Sequence, residues 1–540
     1  MRNLRPAAGI IAAFFVIAPL AAQYGTMGES GIGSTRGAYM RPATPAARAE
    51  DAFYRAASDG PLAVRAFLDQ FPKGADLHIH LAGSVYAEQM IHAAAEDGLC
   101  IDPVALRFVK PGAENANCAS PLLPATELDG NRVGANQALY DKLIDSFSMR
   151  SYVPTTGWSG HDQFFSTFEK FSGLNKTHTG EWVNELTRLS AMQNQQYDEL
   201  MQTPPFGHAA KLGYQFGWPA TPDFAALREK LLAAGLRDEV AEGLSEPIEA
   251  NKHWHDLAKC GSPEAEPQCK VEVRYIYQIL RGNPPEQVFA QTLLGFETVS
   301  KAQAEHEDTW VGINFVMPED GYLSMRDYTL QMQMLDYLHS VYPTVHISLH
   351  AGELAPGLVP PEGLRFHIRQ AVELGHAERI GHGVDVMYER DAEGLLKEMA
   401  AQHVMVEINL SSNDGILGVA GEMHPLHTYM EAGVPVALST DDEGVSRIDI
   451  TNEYTRAVME QGLNYAALKQ MARTGMEHSF LPGAGLWAAP DDFTKRNGAC
   501  AKADPLKQPD GKCRQFLNAN QKADAEWELE KRLAEFEAKF

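Results

Sequence analysis

The strongest constraint on this chain is a rhythm. From Lys73 onward, short apolar runs of strand length alternate with longer helical stretches. The strand-like runs are Ala75–His80, Gln195–Met201, Val271–Ile279, Trp310–Val316, Thr344–His350, Arg379–His382, Val404–Asn409 and Val434–Thr440. Among the later ones lie Pro285–Lys301, Met325–Val341, Glu362–Leu374 and Ala392–Gln402, each of helical length. Apolar strands separated by helices are the signature of a parallel sheet covered on its faces. Eight such units are what a closed barrel of this type requires. The expected fold is therefore α/β: a (β/α)8 TIM barrel with loop insertions, an N-terminal helical arm and a disulfide-bearing C-terminal tail. At 540 residues the chain is long for one barrel, but such barrels accept large loops without dividing.

The excess length has places to go. Residues 98–160 and 204–269 break the alternation, and each holds a cysteine pair. Both are expected as insertions in a barrel domain running from 73 to 487. Residues 23–72 divide into a Gly-, Ser- and Pro-rich linker and a helical arm. Thr44-Pro45 reads as an N-cap with proline in the first turn, and Gly60-Pro61 restarts the pattern toward Phe71. Residues 488–540 form a polar tail that ends in a charged helix, Ala523–Phe540.

Residues 1–22 differ from the rest: Arg2 and Arg5 precede the apolar run Ala7–Leu20, followed by Ala21-Ala22-Gln23. That order is the secretory signal pattern, and the run is shorter than the roughly 20 residues of a bilayer span. A buried N-terminal helix is the alternative. Export, to a periplasm or to the medium, is the expectation, with no membrane span. The cysteines fit it. Cys100 and Cys118, Cys260 and Cys269, and Cys500 and Cys513 form local pairs without C-x-x-C spacing. Structural disulfides are their natural reading in an oxidising compartment, although six cysteines allow many connectivities. With 46 Lys and Arg against 71 Asp and Glu the net charge is −25. Phosphate backbones repel such a chain, so nucleic acid is not an expected partner.

Four motifs carry chemistry. His78-Ile79-His80 ends the first strand, and residues two apart in a strand face the same side, so both imidazoles can reach one metal ion. His350-Ala351-Gly352-Glu353 ends the fifth; its glycine permits a sharp turn that returns Glu353 over the same opening. Arg379-Ile380-Gly381-His382-Gly383 sets a histidine between glycines. Ser439-Thr440-Asp441-Asp442 ends the eighth, and neighbouring aspartates there point in opposite senses, one toward a cation and one toward a substrate. Each motif has a plain structural reading, a hydrogen-bonded histidine or a helix cap. That reading leaves unexplained why all four fall at C-terminal strand ends, where barrel enzymes place their reacting groups. Three His and one Asp make a zinc shell with a position open for water.

In their order, these motifs and the segment Lys73–Leu81 resemble the adenosine deaminase family of the metallo-dependent hydrolase superfamily. They are similar to its secreted, growth-factor-type branch, and the likeness runs over residues 73–485. Glu407–Asn413 and His424-Pro425 continue it. The resemblance implies one zinc per chain, held by His78, His80, His350 and Asp441. It implies that Glu353 protonates purine N1, that His382 orients and helps deprotonate the water, and that Asp442 bonds N7. Gly83, Met317, Phe164 and Phe168 are implied along the nucleoside pocket, the phenylalanines (with Phe165) on a helix before Gly173. The implied reaction is deamination of adenosine or 2′-deoxyadenosine to inosine and ammonia.

Two positions depart from the family pattern: Ala82, where an aspartate meets the ribose, and Met317, where a glycine lies near purine N3. Both touch ribose recognition, which leaves a modified purine nucleoside as an alternative substrate. The H-x-E and P-C-x-x-C pattern of cytidine-type deaminases is absent. The rival readings are another amidohydrolase-type zinc hydrolase and a catalytically silent nucleoside-binding or signalling protein. By analogy with the secreted branch, the helical arm suggests a homodimer.

Overall fold

In the computed structural model, which describes residues 44–111 and 118–540, eight parallel strands follow one another around a ring. They are β1 (Gly74–His80), β2 (Gln195–Gln202), β3 (Glu272–Leu280), β4 (Trp310–Val316), β5 (His346–Ala351), β6 (Arg379–His382), β7 (Met405–Ile408) and β8 (Val436–Leu438). Each pairs with the next. The ring closes just beyond β8, where Asp441 N–H donates to His78 O at 2.9 Å and His80 N–H donates to Asp441 O at 3.0 Å. The fold is the expected (β/α)8 barrel.

Alternation along the strands explains the layering. Tyr275, Tyr277 and Ile279 of β3 and Ile313 and Phe315 of β4 pack outward in the main apolar core. Gln278, Leu280 and Val316, from the alternate positions, face the cavity at the barrel mouth. Below that mouth the interior is ionic. Fully buried Arg379 lies 2.7 Å from Glu199 and 2.8 Å from Glu407, and its guanidinium stacks on Phe480 at 3.9 Å. A buried charge is tolerable only with partners on several sides, as here.

The helices keep near the expected ranges, Pro285–Ala304, Tyr322–Val341 and Ala392–Gln402 among them. The stretch 362–374 corrects the expectation of one continuous helix: a short 3-10 turn, Pro361–Leu364, precedes a helix from His367 to Glu373. The break has a non-local cause. Glu389 accepts from the N–H groups of Ile368 and Arg369 at 2.7 and 3.2 Å, capping the helix start from a distant loop.

Residues 98–160 carry a small three-stranded antiparallel sheet and a helix, Gln137–Ser146, and 204–269 fold into helices Gly207–Phe216, Phe224–Ala233 and Val240–Leu257. The arm helices Pro45–Asp59, capped by Thr44, and Pro61–Leu68 pack against the C-terminal helix Gln521–Glu537. Phe67 and Phe71 meet Phe536 edge-on at 5.3 and 5.8 Å. Lys73, fully buried, joins arm to barrel by donating to the carbonyls of Leu68, Phe71 and Gln193 at 2.7, 3.2 and 2.6 Å. The disulfides are Cys100–Cys118, Cys260–Cys269 and Cys500–Cys513. Among the described residues no helix is long and apolar enough to cross a membrane. The signal pattern at 1–22 and the linker to residue 43 lie outside the described residues.

Candidate active site

The backbone turns abruptly at four neighbouring strand ends. Met317, Gly352, His382 and Asp441, which end or follow β4, β5, β6 and β8, have φ of 88°, 76°, 70° and 63°. A residue with a side chain in this left-handed region costs on the order of 1–3 kcal/mol, and such strain gathers where function holds it. Here it directs His382 and Asp441 into the mouth, where both line the cavity.

Asp441 is the hub. Its Oδ1 lies 3.4 Å from His78 Nε2 and 3.3 Å from His80 Nε2, while His80 Nε2 and His350 Nε2 are 3.0 Å apart. Zinc bonds of about 2.0–2.2 Å would set tetrahedral edges of about 3.3–3.6 Å; the two Asp441 separations match that range, and the His80–His350 approach is shorter. Ligand atoms of His78, His350, His382 and Asp441 also lie within 4.8 Å of one another, which leaves His382 or His80 as the third imidazole on distance alone.

Electrostatics favours a cation too. Burial keeps His80 down at about 4 and His350 well below the ordinary histidine value, so both offer lone pairs. Asp441 is held ionised: burial opposes its charge, but His78 and the other imidazoles outweigh it. Burial likewise opposes a charge on His78, yet Asp441 and Glu407 push that ring up to about 10.

Outer partners aim the rings. Glu407 Oε2 accepts from His78 Nδ1 at 2.5 Å, and Asn314 Oδ1 accepts from His350 Nδ1 at 2.7 Å. Both bonds turn Nε2 inward. Asn314 Nδ2 donates to Ser348 Oγ, which donates to Glu407, joining the two supports.

The cavity above holds about 430 Å³. His80, His350, Glu353, His382, Asp441 and Asp442 form its floor, and Phe164, Phe165, Phe168, Leu280, Val316, Met317 and Pro318 supply an apolar wall. The phenylalanines sit on the helix Gly160–Lys170, whose start is fixed by a reciprocal Ser159–Asp162 capping box. His161 on that helix pairs with Asp320 at 2.9 Å, tying the aromatic wall to the loop that carries Met317. Glu353 is held well above the ordinary carboxyl range by burial and by the negative charges of Asp441 and Glu319. Asp442 is raised in the same way by burial and Asp441. Gly83 does not line the cavity. It lies behind Asp442, and a Cβ there would fall 1.5 Å from Asp442 Oδ1, so this glycine makes room for the aspartate.

Several site residues escaped the sequence analysis. Glu319 accepts the N–H groups of Gly352 and Glu353 at 3.0 and 2.9 Å and His367 Nδ1 at 2.5 Å, pinning the loop that presents Glu353. Asn314 supports His350, and Gln278 and Glu169 line the cavity. Asn314 and Glu319 share one stretch, 312–320, but their partners are more than thirty residues away and no local spacing announces them.

Comparison with known proteins follows the same lines. Residues 251–486 match the family model described as adenosine deaminase. Over 137 residues the chain is 41% identical to the adenosine deaminase of Escherichia coli strain SE11, a segment that covers 25% of this chain and 38% of that enzyme. Among solved structures, adenine deaminase from Arthrobacter aurescens is similar at 15% identity and a TM-score of 0.48, over 76% of this chain and 94% of its own. A zinc-bound amidohydrolase from Burkholderia ambifaria is similar at 16% identity and a TM-score of 0.48, over 87% and 95%. The matched segment carries Glu353, His382, Asp441 and Asp442 but not His78 or His80, which the closing of the barrel brings to them. The likeness to the adenosine deaminase family therefore rests on residues 251–486, and the chain matches little more than a third of the length of the Escherichia coli enzyme.

Proposed function

We propose that this protein is an exported, zinc-dependent hydrolase that deaminates adenosine or 2′-deoxyadenosine, with His78, His80, His350 and Asp441 holding the metal. One observation carries the reading: two buried carboxyls, Glu353 and Asp442, both pushed well above the ordinary carboxyl range by burial and neighbouring negative charge, line the same cavity as the histidine–aspartate cluster. Purine N1 and N7 are both acceptors, and only a protonated carboxyl can donate to them. Glu353 donates toward N1, which draws electrons from C6, and Asp442 donates to N7 and orients the ring. When bound, zinc supplies Lewis acidity and lowers the pKa of water toward about 7. Water adds to C6, the C6–N6 bond breaks, and ammonia leaves. The phenylalanine wall covers the purine and excludes bulk water.

A nucleoside suits the cavity better than a nucleotide. Among its described lining residues there is no Lys or Arg, while Glu169 joins Glu353, Asp441 and Asp442, a poor setting for a phosphate. The disulfides support export. Incubating metal-replete protein with adenosine should yield inosine and ammonia in equal amounts. Turnover of another purine nucleoside alone would move the substrate assignment, and turnover of none would overturn the reading.

A further inference from the structure

Behind His382 runs a chain of hydrogen bonds whose direction can be read. Leu426 N–H donates to His424 Nδ1 at 3.2 Å, so that nitrogen bears no proton. Burial keeps the His424 ring neutral, down at about 4, and its single proton is therefore on Nε2. That nitrogen lies 3.0 Å from Asn413 Oδ1, which accepts from it. The amide of Asn413 is thereby oriented, with Nδ2 facing His382 Nδ1 at 2.9 Å. Asn409 Nδ2 approaches the same ring nitrogen at 3.4 Å. An amide NH2 has protons to give and no lone pair to offer, so His382 Nδ1 must accept. All four side chains are buried, and no bulk water competes for these bonds.

We infer that Asn413 and His424 fix the tautomer of His382, so that this ring meets the cavity with an N–H at Nε2 and not with a lone pair. Nε2 lies 3.9 Å from Glu353 Oε1 and 3.9 Å from Asp441 Oδ2, too far for a direct bond to either. Among the described residues it has no hydrogen-bond partner. A protonated Nε2 cannot ligate a metal, which selects His80 as the third imidazole. Nor can it take a proton from water, as the resemblance had implied. It donates instead to an oxygen placed between Glu353 and Asp441, and this role rests on the deaminase reading. Asn413 and His424 are positioning residues, acting on the cavity only through His382.

The tautomer is measurable without any turnover. In full-length protein labelled with 15N-histidine, with His382 assigned by its absence from His382→Asn, the ring should show a protonated Nε2 and a bare Nδ1. Asn413→Asp replaces the NH2 by an acceptor while keeping the bond from His424, and should move the proton to Nδ1. Wrong tautomers at reacting imidazoles have cost about 10⁴ in turnover, and this variant should lose on the order of 10²–10⁴ in kcat with little change in KM. A bare Nε2 in the wild type would overturn the inference even if Asn413→Asp does not fold. A proton that stays on Nε2 in Asn413→Asp would remove Asn413 from its role. Absence of adenosine turnover alongside the expected spectra would count against the deaminase reading only.

Discussion

In the proposed reaction Glu353 works only while it holds a proton, and its surroundings raise its pKa in that direction. The carboxyl is buried beside Asp441 and Glu319, two negative charges that resist a third. Glu353→Gln keeps the shape and loses the transferable proton. The variant should lose about 10²–10⁴ in kcat with a small change in KM, because the proton is used in the transition state. Zinc content, read by elemental analysis, should be unchanged, whereas near-normal turnover would reduce Glu353 to a structural part. Asn314 makes a different case. It supports a proposed ligand from outside, and such partners carry about 10–100-fold in metal affinity. Asn314→Ala should weaken zinc by that range in competition with a chelator of known affinity; unchanged affinity would mean that His350 needs no support. Glu353 was legible because glycine and glutamate follow a strand-end histidine. Asn314 was not, because an asparagine inside an apolar strand reads only as a blemish until its partner is seen.

At the scale of elements, strand positions were legible to within two or three residues, since apolar runs bounded by polar turns mark them. What a strand buries besides apolar side chains was not. Asp198 on β2 looks like a solvent-facing residue, yet it is fully buried with bonds from Ser190 and Gln195. Burial raises it from its ordinary 3.8 to about 7, so the folded protein keeps a proton that the unfolded chain releases. The sign follows. Its favourable contribution is full below about pH 4 and fades as pH rises through about 7. Asp198→Asn removes the titration, so the melting temperature of wild type minus variant should shrink steadily from pH 4.5 to pH 8. A difference that stays flat, or grows, would show the carboxyl ionised in the native state. The interrupted helix at 361–373 teaches the same lesson, because Glu389 caps it from beyond the range of any local pattern.

For the molecule as a whole, the barrel was readable from its rhythm, and the fourfold coincidence at strand ends pointed to residues that gather at one cavity. The ionic layer and the union of the arm with the C-terminal helix were not readable, because both depend on contacts across hundreds of residues. Phe536, near the C-terminus, fits between Phe67 and Phe71. Phe536→Ala should cost about 3–5 kcal/mol, seen as a lower melting temperature and as early proteolysis of the arm. A variant that melts like wild type, with the arm still protected, would show that tail and arm do not support one another. Asp441 has a larger consequence. Its backbone closes the ring against His78 and His80, and its carboxylate is the hub of the cluster. The first and last strands must therefore meet before the cluster exists. A nascent chain could hold an ion in this shell only after its eighth strand has emerged, so the proposed metal would enter a vessel whose wall is already closed.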